Sequence, residues 1–359
     1  LLDIRTMSSK PFLVTKIGPS FSFTSFSIFD VSRKVVIGII FVFMSLFYHN
    51  YVHFNFFIFL IILISVNMKK GLAIVNNFIT YPQVSYFYSR MKEELVFFDV
   101  TLDLKKSGDL KEGIGVNCSL LKKDNYDFIL YLDKDPYIAD ALEKEGYRLF
   151  NKSSSIAICD DKMKTYLALK NKGINFPYTE SAPLNYTEII DKDYLKIIST
   201  NMGFPLIIKT NYGSLGKGVF LIKDSEELEK MEQKLIHAPH IFQKFINSSF
   251  GQDFRIITIG GKYVAGMKRI SKNGDFRSNI ALGGEAQIIP IENPYIEMAE
   301  KVSQLLELDY AGIDILIGNN NEPIFCEANS NAFFQGIEKY SGVNIAREYA
   351  KHIFNKIYK

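Results

Sequence analysis

Short apolar runs alternate with amphipathic or polar stretches along the chain from Met68 onward. Three of the runs have the length and composition of buried strands: Gly71–Val75, Leu95–Val100 and Phe128–Leu132. Pro136–Glu145 has a helical pattern and precedes a fourth apolar run at Tyr147–Phe150. Strands that alternate with helices favour a mostly parallel sheet covered by helices. The pattern therefore predicts a small α/β domain over residues 68–155.

A second unit with mixed strands and helices is predicted over residues 156–359. Asp160 or Asp161 can cap a helix that runs to about Lys172. Further strands are predicted at Pro205–Lys209, Val219–Lys223 and His240–Ile246. Further helices are predicted at Tyr186–Met202, after a capping box at Asp224–Glu227, at Pro294–Glu307 and at Asn344–Tyr358. One hairpin is predicted from two strands that flank a turn able to take positive φ: Asp253–Ile259, Gly260-Gly261 and Lys262–Ile270.

Two acidic residues interrupt a pair of apolar strands nearer the C-terminal end. The strands and the turn between them are Ala311–Ile317, Pro323–Asn329 and Asn319–Asn321. A turn centred between Asn320 and Asn321 sets Asp314 opposite Glu327, and the period of two keeps Asn329 on the same face. Facing carboxylates repel unless a cation lies between them, and hard oxygen donors suit Mg²⁺. The alternative is a surface hairpin with solvated acids.

A glycine-containing loop, Gly213-x-x-Gly216-Lys217-Gly218, lies between two predicted strands rather than before a helix, so it is not a P-loop. Its backbone N–H groups can approach phosphate oxygens, and the hairpin can fold over a nucleotide as a lid. A plain flexible turn is the alternative. Lys209 ends the apolar strand before this loop, where an unpaired ammonium is costly to bury, so an anionic partner such as phosphate is expected.

Cationic and hydrogen-bonding side chains cluster around the predicted diglycine hairpin and the polar loop after it. They are Arg255, Lys268, Arg269, Arg277 and Asn279. Arginine offers a planar fork that matches phosphate or carboxylate. Any one of them alone is most simply a solvated surface residue. Their clustering beside a predicted metal pair favours a functional site.

Residues 1–67 differ in composition from the rest of the chain. Val35–Val66 contains no Asp, Glu, Lys or Arg, so a membrane anchor over residues 35–66 is one interpretation. As one helix it would be about 48 Å long against a hydrocarbon core of about 30 Å, and splitting it leaves pieces too short to span. We favour the alternative that this apolar leader is not part of the working protein, because Met68 opens a segment that resembles a native start.

The formal net charge of +3 comes from the leader, and basic and acidic residues balance in the remainder. No electrostatic footprint for nucleic acid is therefore indicated. Cys118, Cys159 and Cys326 are scattered, which fits a reducing cytosol and argues against a zinc or disulfide framework. Asn76-Asn77-Phe78 after the first strand lacks the glycine fingerprint of a dinucleotide site.

Several of these segments, in this order, resemble the ATP-grasp ligases of the RimK type, which include α-L-glutamate ligases. The matching segments are Pro205–Lys209 with its glycine loop, Gln243–Ile246, Gly274–Asn279, Gly283-Gly284, Ala311–Leu316 and Glu327–Asn329. The resemblance covers about residues 68–359. It implies a mixed α/β and α+β protein, with a small α/β pre-ATP-grasp domain at 68–155 followed by a two-lobed ATP-grasp fold at 156–359. The nucleotide lid is expected at about 203–236 and the catalytic lobe at about 240–359.

The resemblance also implies roles for individual residues. ATP is expected to contact Lys162, Lys209, Gly213, Gly216, Gly218, Gln243, Lys244, Phe245, Ile246 and Asp253. Mg²⁺, with Mn²⁺ as a substitute, is expected at Asp314, Glu327 and Asn329. The catalytic groups are expected to be Arg277, Asn279 and Arg269. The family joins a carboxylate to an amine through an acyl phosphate.

Three departures from the family pattern concern the substrate. Ser330-Asn331-Ala332 follows Asn329 where many members have Ser-Pro-Gly, and Lys244 stands where an acidic hinge residue is common. Ala281-Leu282 precedes the glycine pair where some members have basic residues, so the acceptor need not be an acidic protein tail.

The sequence therefore predicts a cytoplasmic, Mg²⁺- and ATP-dependent ligase. It would join glutamate or another amino acid to a carboxylate acceptor, with no nucleic-acid partner and with a homo-oligomer left open. The alternatives are an ATP-grasp ligase that makes a dipeptide or a glutathione-like compound, a nucleotide-binding regulatory protein, and a membrane-anchored docking protein. We expect isosteric changes at Asp314 or Glu327 to leave the fold intact.

Overall fold

A computed structural model describes residues 68–110, 120–121, 125–280 and 283–358. The predicted leader, Cys118 and the Ala281-Leu282 departure lie outside these residues. In the part of the chain that is described, no helix is both long enough and apolar enough to cross a membrane.

The first sheet is parallel and has the strand order β2-β1-β3-β4. Its strands are β1 (Lys69–Val75), β2 (Val100–Lys106), β3 (Phe128–Leu132) and β4 (Leu149–Phe150). Helices α1 (Pro82–Leu95) and α2 (Pro136–Lys144) accompany it. Asp135 caps α2 by accepting hydrogen bonds from the backbone N–H groups of Tyr137 and Ile138. The parallel sheet predicted from the alternating pattern is present.

The prediction of a strand at Leu95–Val100 is wrong. Helix α1 runs through Leu95, a single 3₁₀ turn covers Val96–Phe98, and the strand begins only at Val100. Phe87, Met91 and Leu95 are buried at helical spacing, so the packing of α1 sets the end of the helix inside the apolar run. Asp99 takes a left-handed conformation at φ 55° and redirects the chain into β2.

Helices α3 (Ser153–Asp160) and α4 (Lys162–Leu169) connect the first sheet to the rest of the chain. Of the two predicted capping residues, Asp161 is the one that caps α4, through the backbone N–H of Lys164. The helix ends at Leu169, earlier than predicted. Helix α5 (Lys192–Met202) begins later than predicted, because Asn185 and Thr187 hydrogen-bond into a local turn before it.

The second sheet is antiparallel with the order β5-β8-β6-β7. Its strands are β5 (Thr179–Ser181), β6 (Leu206–Thr210), β7 (Val219–Ile222) and β8 (His240–Lys244). Helix α6 (Ser225–Lys234) is capped by Asp224, which accepts from the N–H of Glu227. The carboxylate of Glu227 accepts from the N–H of Lys223 rather than of Asp224, so only one half of the predicted capping box forms.

The third sheet is antiparallel, with the order β11-β10-β9-β12-β13. Its strands are β9 (Gln252–Ile259), β10 (Lys262–Ile270), β11 (Glu285–Gln287), β12 (Tyr310–Ile317) and β13 (Pro323–Asn329). Helices α7 (Asn293–Leu305) and α9 (Ile345–Ile357) follow the prediction closely, and α8 (Gln335–Ser341) was not predicted. Gly260 and Gly261 have φ of 58° and 73°, which confirms the diglycine hairpin.

The buried side chain of Asn151 joins the end of the first sheet to the third sheet. Its Nδ2 donates to the carbonyls of Tyr310 and Ser330 at 2.8 and 2.9 Å. Its Oδ1 accepts from the backbone N–H groups of Asp309 and Tyr310 at 2.6 and 3.0 Å. One side chain thus fixes both the entry to β12 and the exit from β13.

We expect Asn151→Ala to lower the free energy of unfolding by about 2–4 kcal/mol, because buried backbone donors and acceptors would lose their partners. Denaturant unfolding of the purified chain measures this change. Asn201→Ala is the matched control, since the amide of Asn201 makes only an exposed contact to Glu180. An equal effect of the two substitutions would contradict the role given to Asn151.

Candidate active site

A cleft that is partly open to solvent lies between the second and third sheets. Fifteen of the sixteen predicted site residues line it: Lys162, Lys209, Gly213, Gly216, Gly218, Gln243, Lys244, Phe245, Ile246, Asp253, Arg269, Arg277, Asn279, Asp314 and Glu327. Asn329 is not among the lining residues, and Lys268, which was noted in the basic cluster, is also absent from them.

Charged residues follow one another across the third sheet because strand register sets them opposite each other. Arg269 on β10 pairs with Asp253 on β9, and Arg255 on β9 pairs with Asp314 on β12. Asp314 in turn lies opposite Glu327 on β13, as predicted. The predicted turn centre is wrong, however, because Ile317 pairs with Pro323 about Asn320, and a register shift restores the pairing of the two acids. Asp253 and Arg255 are two residues apart and therefore share a face.

Four of these side chains form an alternating ionic chain in the floor of the cleft. Nε and Nη2 of Arg269 both donate to the carboxylate of Asp253. The same Nη2 also lies 3.0 Å from Oδ2 of Asp314. Arg255 donates hydrogen bonds to Asp314 from Nε and from Nη2, and Nη2 is 2.6 Å from Oδ2. Burial alone would raise the pKa of Asp314, but Arg255 and Arg269 outweigh it and hold that pKa below its ordinary value. The cation that the facing carboxylates require is thus already supplied in part by arginine.

Glu327 differs from Asp314 in having no partner. Within the described residues, neither the carboxylate of Glu327 nor the side-chain amide of Asn329 makes a hydrogen bond or an ion pair. Glu327 lines the cleft, half-buried. Hard oxygen donors without a partner fit a divalent cation such as Mg²⁺. The donor set therefore suits a metal, although Asp314 would reach it only through the lone pairs that the arginines leave free.

The register of the β12–β13 hairpin changes just past the acidic pair. Asp314 lies opposite Glu327, but Ile315 lies opposite Phe325, so Cys326 is the extra residue of a β-bulge. The bulge allows Cys326 and Glu327 both to line the cleft. The Sγ atom of Cys326 is 3.6 Å from Nζ of Lys209, and burial raises the pKa of this thiol.

Two buried lysines line the cleft. Lys209 comes from β6 and Lys162 from the first turn of α4, and each is less than a tenth exposed. Burial lowers the pKa of Lys162, with Glu327 partly opposing and Lys209 adding to the shift. No carboxylate pairs directly with either ammonium among the described residues, so an anionic ligand would stabilise both.

The glycine loop forms a lid that contacts both walls of the cleft. Nζ of Lys162 donates to the carbonyl of Gly213 at 3.3 Å, and Nη1 of Arg277 donates to the carbonyl of Gly216 at 2.9 Å. Asp275 holds Arg277 through an ion pair of 2.8 Å between Nη2 and Oδ2. Gly218 is required in the loop, because it has φ of 89° and a Cβ there would lie 2.3 Å from Oγ1 of Thr210.

The chain segment after β8 provides a slot with apolar walls. Gln243 is buried, and its Nε2 donates to Oγ1 of Thr179 at 2.8 Å. Phe245, Ile246, Ile207 and Leu316 line the same cleft. Flat apolar walls beside a backbone hinge can receive a planar heteroaromatic ring.

Sequence reasoning missed two residues of this site. Arg255 was noted in the basic cluster but not as the partner of Asp314, and Cys326 was noted only for its isolation. For Arg255 the sequence signal is its i, i+2 spacing from Asp253. The contact of Arg255 with Asp314 depends on the pairing of β9 with β12, and the position of Cys326 depends on the bulge.

Comparison with known proteins agrees with this geometry. Residues 159–353 match the family described as RimK-like ATP-grasp domain. The fold and the site thus define an ATP-grasp protein, and the chain belongs to the RimK-like ATP-grasp family. The predictions of family and fold class are confirmed.

The relatives carry names of glutamate-joining enzymes. The chain is 32% identical over 217 residues to "Beta-citrylglutamate synthase B" of Danio rerio, covering 60% of this chain and 52% of that protein. It is 34% identical over 214 residues to "Probable alpha-L-glutamate ligase" of Maridesulfovibrio salexigens, covering 59% and 68%. The chain therefore spans about half the length of the synthase relative.

A solved structure with a similar fold is the ATP-grasp ligase PsnB complexed with minimal precursor, Mg and ADP. Its TM-score to this chain is 0.58 at 14% identity, and the match covers 80% of this chain and 98% of PsnB. An ATP-grasp fold implies a site for ATP with a divalent metal.

Because only Asp314 belongs to the ionic chain, substitutions of Asp314 and Glu327 should differ in their effect on the free energy of unfolding. Asp314→Asn would leave Arg255 and Arg269 with a single buried carboxylate, and we expect it to cost about 3–5 kcal/mol of unfolding free energy. Glu327→Gln removes no ion pair and should cost less than about 1 kcal/mol. Denaturant unfolding in metal-free buffer checks both, and similar costs would contradict the pairing. The expectation that both isosteric changes leave the fold intact is thereby revised for Asp314.

Proposed function

We propose that this protein is an ATP- and Mg²⁺-dependent ligase that joins a carboxylate to an amine through an acyl phosphate. The observation that carries the proposal is the convergence on one cleft of two buried lysines, an arginine that contacts the lid and the carboxylate of Glu327. Among the described residues, neither the lysines nor Glu327 make an ion pair. Such a set suits a polyphosphate with its metal better than it suits a neutral ligand. The names of the relatives support the reaction class.

We assign the nucleotide to the lid and hinge side of the cleft. Lys162 and Lys209 would bind phosphate oxygens, and the glycine loop would add backbone N–H groups. The slot at Gln243–Ile246 would hold adenine, with Lys244 at its rim. Asp253 is engaged by Arg269, so we assign it to positioning that arginine rather than to direct contact with ATP.

Glu327, Asn329 and Asp314 are the residues we assign to the metal. When bound there, Mg²⁺ would neutralise charge that develops on the transferred phosphoryl group. Arg277 would do the same from the loop between β10 and β11, since its guanidinium lines the cleft and contacts the lid. Asn279 is a further polar group on this side. The closed lid would exclude the water that could hydrolyse an acyl phosphate.

The amine substrate is proposed to be glutamate or another amino acid, on the basis of the relatives' names. The acceptor side differs from the family pattern after Asn329, and here the loop is packed inward. The side-chain amide of Asn331 donates to the carbonyl of Asp133 at 2.7 Å, and Ala332 is buried. This contact places the carboxyl edge of the first sheet beside the exit of the metal hairpin, where parallel sheets commonly bind ligands. For the compartment we propose a reducing cytosol, which the free Cys159 and Cys326 support.

Product analysis tests the reaction class. An acyl-phosphate ligase releases ADP and phosphate, and with the amine withheld it should convert added hydroxylamine into a hydroxamate of the activated acid. We expect Arg277→Ala to lower hydroxamate formation by at least about a hundredfold while nucleotide affinity falls far less, because the guanidinium is assigned to the transferring group.

Lys268→Ala is the matched control, since Lys268 neighbours Arg269 but does not line the cleft. It should leave both measurements unchanged. Release of AMP and pyrophosphate, or full hydroxamate formation by Arg277→Ala, would overturn the proposed mechanism. A screen of amino acids and carboxylic acids for ATP-dependent mass gain would identify the substrates.

A further inference from the structure

Arg255 is the one member of the ionic chain that does not line the cleft, yet it holds a residue that does. Its Nε and Nη2 both engage Asp314, which is 4% exposed. Arg269 reaches the other side of the same carboxylate at 3.0 Å. An ionised carboxylate offers about four acceptor positions. Three arginine donors therefore leave about one position for any other ligand.

The position of the Arg255 side chain is enforced by its surroundings. A Cβ added at Gly312 would lie 3.1 Å from Cδ of Arg255 and 2.4 Å from Cβ of Ala332. Gly312 lies on the same strand as Asp314 and pairs with Asn329. The missing side chain at Gly312 thus leaves the space through which Arg255 reaches Asp314.

The charges of the ionic chain and of Glu327 determine how strongly the site binds a metal ion without nucleotide. Arg255 and Arg269 compensate Asp253 and Asp314, so only Glu327 contributes an uncompensated negative charge among these five groups. Mg²⁺ gives up its water reluctantly. One free carboxylate beside two guanidinium groups is therefore a weak site for the metal alone, whereas nucleotide phosphates would add the missing negative charge.

We propose that Arg255 is a positioning residue that keeps the affinity of this site for a free divalent cation low, so that the metal is held only together with nucleotide phosphate. This inference rests on the proposed function for the identity of the metal site. It adds a reason why the metal would bind there only together with nucleotide. Its sign is opposite to that expected for a merely structural arginine, because loss of Arg255 should strengthen metal binding.

The test measures Mn²⁺ binding to the nucleotide-free full chain, from the loss of the free Mn²⁺ signal in electron paramagnetic resonance. Arg255→Met should bind Mn²⁺ at least about tenfold more tightly than the unsubstituted chain, because it removes a positive charge that contacts the proposed ligand Asp314 and repels a divalent ion. Mn²⁺ should also raise the thermal midpoint of the variant and leave that of the unsubstituted chain nearly unchanged.

Three further variants make the result specific. Arg255→Lys retains the charge and should keep Mn²⁺ binding weak. Arg255→Met combined with Glu327→Gln should lose the gain. Arg347→Met removes an arginine that pairs with buried Glu94 away from the cleft, and it should not change Mn²⁺ binding even if it lowers stability.

Equal or weaker Mn²⁺ binding by Arg255→Met would overturn the inference. If that variant does not fold, Arg255→Gln serves instead, because its amide removes the charge but can still donate a hydrogen bond to Asp314, and it should also tighten Mn²⁺ binding. Unchanged binding there would equally overturn it. Tighter Mn²⁺ binding without any ADP formation would refute the proposed ligation alone, and ADP formation with unchanged Mn²⁺ binding would refute this inference alone.

Discussion

The site depends on a single physical constraint, which is that charges buried in the floor of the cleft must be paired. Asp253, Arg269 and Asp314 are each less than a tenth exposed. Removing any one of them, or Arg255, would leave its neighbours with an uncompensated charge in a region where desolvation is expensive. The alternation of sign across β10, β9 and β12 satisfies this constraint through strand register. The three central strands of the sheet are therefore held together by the same groups that shape the site.

This constraint divides the polar residues of the cleft into two kinds. Asp253, Arg269 and Asp314 are engaged by protein partners, whereas Lys162 and Glu327 make no ion pair with described residues. The engaged groups fix geometry, and the unengaged ones are available to a ligand. Burial and the like charge of Lys209 lower the pKa of Lys162, which reflects a desolvation penalty on its charged form. Binding of a magnesium polyphosphate would relieve it.

The first sheet contributes by holding the β12–β13 hairpin from outside the cleft. Asn151 fixes both ends of the β12–β13 pair, and Asn331 ties the exit of β13 to Asp133. A second connection joins α1 to the C-terminal helices through Glu94, which accepts a hydrogen bond from Asn344 at 2.8 Å. Within α1, Glu94 also pairs with Arg90 at 3.0 Å. Helices α1 and α9 also pack their aromatic rings around Tyr310, which stacks on Tyr349 at 4.9 Å. The pre-ATP-grasp segment is thus part of the support of the site, although its boundary as a domain remains our proposal.

The sequence by itself determined those features that depend on neighbouring residues or on a simple period. The diglycine turn was sufficient to define its hairpin. The Asn-rich turn was sufficient to predict the second hairpin, but Asp314 lies opposite Glu327 only because of the bulge at Cys326. Caps at Asp161 and Asp224 follow equally local rules. The predicted strand at Leu95–Val100 failed because the packing of α1, a long-range property, overrides a local apolar run.

Only the tertiary structure decided how Asp314 is used. Arg255 and Asp314 are 59 residues apart, and no local rule relates them; the pairing of β9 with β12 does. The bulge that turns both Cys326 and Glu327 toward the cleft breaks the period of two on which sequence reasoning relies. Electrostatic partners across a sheet depend on which strands become neighbours, and that choice belongs to the packing of the whole chain rather than to any segment of it.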